Sequence, residues 1–200
     1  MGVYLNPGNV DFQEVLNSKI YVDKSELIQY TNSVLRTTQK YICVSRPRRF
    51  GKSMAANMLT AYYSRGCDSR EMFQGLKIAK HTGFEEHLNQ YNVIHLNMRD
   101  YLTESENMKQ LIQFVEEDLL DELQQEFADL RMPRRRTLVK VLEQAFAQYK
   151  IPFVFIIDEW DCIFRVHKSD AASQKTYLDF LRNLLKDKSY IALAYMTGIL

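Results

Sequence analysis

Short apolar runs alternate along this chain with longer stretches of helical period, the pattern of a mostly parallel sheet covered by helices. Runs at Tyr41–Ser45, 92–98, 152–157 and 190–196 read as strands. The first is expected to be buried, and the third is wholly apolar up to Asp158, as a strand covered on both faces should be. Between the runs the period changes. Residues 51–64 put Met54, Met58, Leu59 and Tyr62 on one stripe and predict a helix. From 105 to 130, Met108, Leu111, Ile112, Val115, Leu119, Leu123 and Phe127 keep steps of three and four, predicting one long amphipathic helix that Pro133 ends. Leu138, Val141, Leu142, Ala145, Phe146 and Tyr149 predict the next helix, and residues 177–186 a shorter one. Residues 6–9 and 65–70 carry turn signals, and no internal repeat or low-complexity tract is present.

Composition narrows the class. With 200 residues, 46% hydrophobic and 26% charged, the chain is globular, which excludes disorder and fibre. Lys plus Arg number 26 against 25 for Asp plus Glu, so no global field draws the protein onto nucleic acid or an anionic membrane. Any polyanion site must be local. The apolar runs fall far short of the ~20 residues that span a bilayer. The N-terminus lacks the basic and apolar regions of a signal peptide, which predicts a cytoplasmic protein. Cys43, Cys67 and Cys162 are scattered and read as reduced thiols. His81, His87, His95 and His167 have no metal-ligand spacing, and His95, inside an apolar strand, reads as a hydrogen-bonded core histidine.

The candidate chemistry begins at Gly51-Lys52-Ser53, where the first strand gives way to the first helix. Average usage gives roughly 0.1 chance triplets of this kind in a chain this long, so the strand-to-helix context is what makes it a phosphate loop. Gly51 lets the backbone approach the phosphates, the first amides of the helix point at them, Lys52 reaches the β- and γ-phosphates, and Ser53 offers its hydroxyl to Mg²⁺. The usual pattern wants glycine at position 46, whereas the loop here is Arg46-Pro47-Arg48-Arg49-Phe50-Gly51. Either the backbone avoids positive φ at Arg46 or some strain is tolerated. Pro47 stiffens the entry, and the three arginines offer guanidinium forks to a polyphosphate or pair with acids of their own domain.

In mononucleotide-binding sheets a second apolar strand lies beside the first and ends in an acid. Asp158 takes that part and would hold Mg²⁺ directly or through water, while Glu159, turned to the other side, would orient and deprotonate a water. Asp161 either supports the metal shell or caps the next turn, and Trp160, the one tryptophan, reads as a packed aromatic beside the site. Thr197, at the end of the last strand, either senses the γ-phosphate or is structural.

The segments 21–28 (YVDKSELI), 45–53 (SRPRRFGKS), 72–76 (MFQGL), 156–161 (IIDEWD) and 197–200 (TGIL) together resemble the AAA-ATPase-like family of predicted bacterial and archaeal ATPases. The resemblance implies an ASCE-type P-loop NTPase: an N-terminal family segment at residues 1–40 packing on an ATPase-like core at 41–200 that is cut after the sensor strand. It implies a further strand and often a PD-(D/E)xK nuclease-like domain beyond. It carries phosphate and metal roles to Lys52 and Ser53, Mg²⁺ and water-activating roles to Asp158 and Glu159, and a sensor role to Thr197, and it makes Arg46 the family's own form of the loop. Asp23 and Lys24 match a family motif of unclear role. The residues themselves read Asp23 with Glu26 as a helix N-cap, the alternative being that this segment packs by the adenine.

The leading expectation is an enzyme that binds and hydrolyses Mg-ATP, driving or switching a protein partner or a homo-oligomer, with ATP preferred over GTP because no guanine-reading NKxD motif occurs. A non-hydrolysing nucleotide-dependent scaffold is the alternative. A nucleic-acid role through Arg131, Arg134, Arg135, Arg136 and Lys140 is weakly supported, since acids precede the cluster and no aromatics interleave it.

Overall fold

A computed structural model describes residues 2–199; Leu200, the last residue of the 197–200 motif, lies outside the described residues. Four strands, β1 (Tyr41–Ser45), β2 (Asn92–Asn97), β3 (Phe153–Asp158) and β4 (Ile191–Gly198), form one sheet in the order β1-β4-β3-β2, every pairing parallel. The acidic strand β3 is therefore not beside β1, as the simplest mononucleotide sheet predicts. β4 lies between them. The apolar residues 191–194 of β4 suit that central place, because a strand covered on both faces and paired on both edges favours apolar side chains.

Alternation along β3 sorts the core into two layers. Phe153, Phe155 and Ile157 face one apolar cluster, and Val154 and Ile156 face the other. The first layer is covered by α5 (Met98–Glu104), α6 (Met108–Glu126), α7 (Leu138–Tyr149), α8 (Cys162–Val166) and α9 (Ala171–Leu185). The second is covered by α1 (Val10–Leu16), α2 (Glu26–Val34), α3 (Lys52–Tyr63) and α4 (Arg70–Gln74). Residues 10–34 dock on α3 and α4: Phe12 stacks on Phe73 of α4 at 5.2 Å, Thr31 meets the Tyr63 hydroxyl at 2.7 Å, and Asn32 bonds both Tyr62 and Tyr63.

The two sheet edges differ. At β2, Leu5 forms an antiparallel bridge to Ile94, with Asn6 N donating to the Val93 carbonyl at 2.7 Å and His95 N to that of Tyr4 at 2.9 Å. Glu122 of α6 pins this segment by accepting from the amides of Val3, Tyr4 and Leu5 at 2.7, 3.0 and 2.6 Å. β1 forms the opposite edge and alternates exposed with half-buried, so it is not the buried strand its composition suggests. The predicted helix at 105–130 is α6 alone, because Asn107 caps a new helix by accepting from Gln110 N and leaves residues 98–104 to α5. The predicted helix at 177–186 starts earlier, at Ala171, where Asp170 accepts from Ser173 N. Arg131, Arg134, Arg135 and Arg136 lie exposed in the connection before α7, as a solvated link should.

Candidate functional site

The parallel register brings the carboxyl ends of the four strands to one rim: Ser45 beside Gly198, Met196 beside Ile157, and Asp158 beside Asn97. From Ser45 the chain turns into α3 through residues 46–51. Gly51, the N-cap, sits at φ 74°, where a Cβ would be strained and would also lie 2.8 Å from the Lys24 ammonium. That ammonium donates to the Phe50 carbonyl at 2.8 Å, so Lys24 of the N-terminal segment ties down the loop. Arg46 lies outside the positive-φ residues, whereas Arg49 has φ 68°, so a side chain at 46 is tolerated without strain and the left-handed turn falls later. Arg46 N donates to the Gly198 carbonyl at 3.2 Å, and Lys52 Nζ lies across its own loop, donating to the carbonyls of Arg46 and Pro47 at 3.0 and 3.1 Å.

Asp158 is buried and takes three donors. Ser53 Oγ donates to Oδ2 at 2.5 Å, Glu159 N to Oδ1 at 2.9 Å, and Thr197 Oγ1 also to Oδ1. Helix α3, strand β3 and strand β4 therefore meet on one carboxylate. Glu159 follows at φ 53°, and that left-handed backbone turns its side chain away from Asp158. Its Oε2 forms an ion pair with Nη2 of Arg165, which also lies 3.4 Å from Oδ1 of the buried Asp161. Asp161 Oδ2 in turn accepts from Ile199 N at 2.7 Å, so although Asp161 stands at the N-cap of α8 its carboxylate binds the end of β4 and makes no cap bond to that helix. Trp160 packs edge-on against Phe164 at 5.7 Å, and its amide donates to the Thr197 carbonyl at 3.2 Å.

Above the loop lies an open cavity of about 460 Å³ walled by Arg48, Arg49, Lys52, Ser53, Arg99 and Glu159, among others. No carboxylate pairs with Arg46, Arg48, Arg49 or Arg99 among the described residues, contrary to the expectation that the loop arginines would find acids in their own domain. The loop is exposed on the rim, and the nearest acids are already bonded elsewhere. The result is a local cationic site in a chain of net charge +1. Beside it, sharing Arg49, Gly51 and Met54, is a more apolar cavity of about 360 Å³ formed with Ile20, Tyr21, Val22 and Met58. Burial and the Asp23 charge push the Tyr21 phenol up to about 12, so it stays neutral there.

Met54 lines this rim, 37% exposed, instead of joining the buried stripe, because the first turn of α3 faces the loop and not the sheet. Asp23 does not cap α2, whose N-cap is Ser25; its carboxylate bridges Ser25 N and Lys77 N, each at 2.8 Å. His95 meets Thr60 Oγ1 at 3.1 Å, and burial lowers its pKa.

The family model described as Predicted AAA-ATPase, AAA-ATPase-like, matches residues 7–200. The chain belongs to this family. As an AAA-ATPase-like protein it is, in general terms, a nucleotide-binding P-loop protein of the ATPase class, a class that ordinarily works with Mg²⁺. No curated protein matches it. Among solved structures it is similar to Cdc6p from Pyrobaculum aerophilum, at 13% identity and TM-score 0.35, over 98% of this chain and 44% of that one. The chain thus spans less than half the length of that protein. No described helix of this AAA-ATPase-like chain is long and apolar enough to cross a membrane. Two residues at the candidate site carry no motif in the sequence: Arg99, two positions past the end of β2, and Arg165, four residues after Asp161 on α8.

Proposed function

We propose that this protein binds ATP with Mg²⁺ at the cavity above residues 46–53 and hydrolyses it in the cytoplasm, driving or switching a protein partner or a second copy of itself. The observation that carries this reading is the 2.5 Å contact of Ser53 with Asp158 at the foot of a cavity walled by Lys52, Arg48, Arg49 and Arg99. The loop amides and Lys52 hold the phosphates, with the exposed arginines adding charge-assisted contacts. The apolar cavity beside the loop accepts the base, which supports a role for the 20–24 segment at the adenine. The donor set fits Mg²⁺. Ser53 gives its proton to Asp158 and so keeps its lone pairs for a cation, and both ligands are hard oxygens. Among the described residues no group of three or more His, Cys, Asp or Glu forms a complete cage, which suits a cation completed by phosphate and water. When bound, Mg²⁺ neutralises charge on the transferred phosphoryl. Glu159, on the cavity wall, accepts the proton of the attacking water, and Thr197 holds Asp158 and places the end of β4 beside the reacting phosphate.

Calorimetry tests the first half. Lys52→Ala should weaken MgATP binding by a few kcal/mol, about tenfold for each 1.4 kcal/mol, and unchanged affinity would remove the phosphate loop from the reading. Glu159→Gln tests the second half: it should keep nucleotide and lose phosphate release. A wild type that holds ATP and releases no phosphate is instead a nucleotide-dependent scaffold.

A further inference from the structure

Accepting the ATPase reading, we infer that Arg165 is the positioning residue for Glu159, and that it fastens the catalytic carboxylate to the end of β4. Three links form the relay. Ile199 N donates to Asp161 Oδ2, Asp161 Oδ1 faces Arg165 Nη2, and the same Nη2 pairs with Glu159 Oε2. Asp161 is fully buried and Arg165 only 18% exposed, so a single guanidinium nitrogen is held between a buried acid and the more exposed Glu159. Glu159 Oε1 has no hydrogen bond among the described residues, and the side chain lines the cationic cavity. One oxygen is thus spent on orientation and the other is left for water. Packing alone does not explain the arrangement, because Arg165 Nε is buried without a partner among the described residues: the side chain leaves one donor unused to place another between two acids.

The relay also joins the two acidic positions to one strand end. Thr197 holds Asp158 and Ile199 holds Asp161, so a displacement of the β4 terminus reaches the metal acid and the water-activating acid together. The carboxylate is on the reacting side only while β4, Asp161 and Arg165 keep this register.

The test is steady-state turnover, nucleotide affinity and melting temperature of Arg165→Met, Arg165→Lys and wild type, with Glu159→Gln as the zero-turnover reference. Arg165→Met should lower kcat by about tenfold or more while KM and ATP affinity stay within about twofold, since a placed general base contributes about 10²–10⁴ and only its placement is lost. Arg165→Lys restores a cation without the fork and should recover part of the rate. Wild-type kcat in Arg165→Met overturns the inference. A raised kcat also overturns it and makes Arg165 a restraint on Glu159. A parallel fall of kcat, affinity and melting temperature reduces Arg165 to a packing role. If wild type turns over no faster than Glu159→Gln, the hydrolytic reading itself falls and this inference with it, whereas a wild-type rate with an indifferent Arg165→Met removes the inference alone.

Discussion

At the scale of single residues the site depends on close approaches as much as on charges. Gly198 is the sharpest case. A Cβ there would lie 2.8 Å from Asp161 Cγ and 3.0 Å from Trp160 Nε1, and Asp161 is fully buried, so neither neighbour yields easily. Gly198→Ala should destabilise the fold by about 1–3 kcal/mol, the usual cost of overpacking, read as a lower urea midpoint at unchanged m-value. It should also slow phosphate release by more than that destabilisation explains, because the Asp161 shift passes to Arg165. Arg99 offers the complementary test: it has no acidic partner among the described residues, so Arg99→Ala should leave melting unchanged and weaken triphosphate binding severalfold by calorimetry. That Lys52, Ser53, Asp158, Glu159 and Thr197 gather at one rim was legible in the sequence, because the motifs that carry them sit at strand ends and at the start of a helix. Arg99 and Arg165 were not, since an arginine after a strand or on a short helix has the same local pattern whether it faces solvent or a site.

Among the elements, the long periodic helices and the wholly apolar strand were legible, and the short helices were not. α1, α4, α5 and α8 have seven residues or fewer, about two turns at 3.6 residues each, too few to establish a period. The cover of the β2 edge was equally hidden, because it rests on Glu122, whose position in α6 is that of any exposed acid. Glu122→Ala should free residues 3–5, raising amide exchange at Val3, Tyr4 and Leu5 and costing about 1–3 kcal/mol of stability. Strand β2 also carries the pH dependence. Burial lowers the pKa of His95 below its ordinary 6.5, while the Asp158 charge partly opposes this. In acid the unfolded chain therefore takes up a proton before the folded one does. The contribution of neutral His95 is complete above about 6.5 and is lost as pH falls through the lower folded value. His95→Gln, which can still bond Thr60, should flatten that limb of the pH–stability curve measured by urea denaturation.

For the molecule as a whole, the sequence showed the class and the rim that gathers the site, but not the order of strands. Apolar runs of similar length carry no label for their neighbours, and the inserted place of β4 appears only in the register that pairs it with β1 on one side and β3 on the other. That order has a consequence in the time domain. β1 has β4 as its partner among the described strands, so the phosphate loop hangs on an edge with nothing to pair until residues 191–198 have been synthesised. β2 and β3 can pair with each other before that point, whereas the other edge of β3 stays open until β4 exists, and non-local parallel pairing is the slow part of folding. A chain ending before Tyr190 should therefore keep helical circular dichroism, bind no ATP by calorimetry, and associate through the unpaired edge of β3. The candidate nucleotide site is the last part of this protein to exist, assembled when β4 slots between β1 and β3.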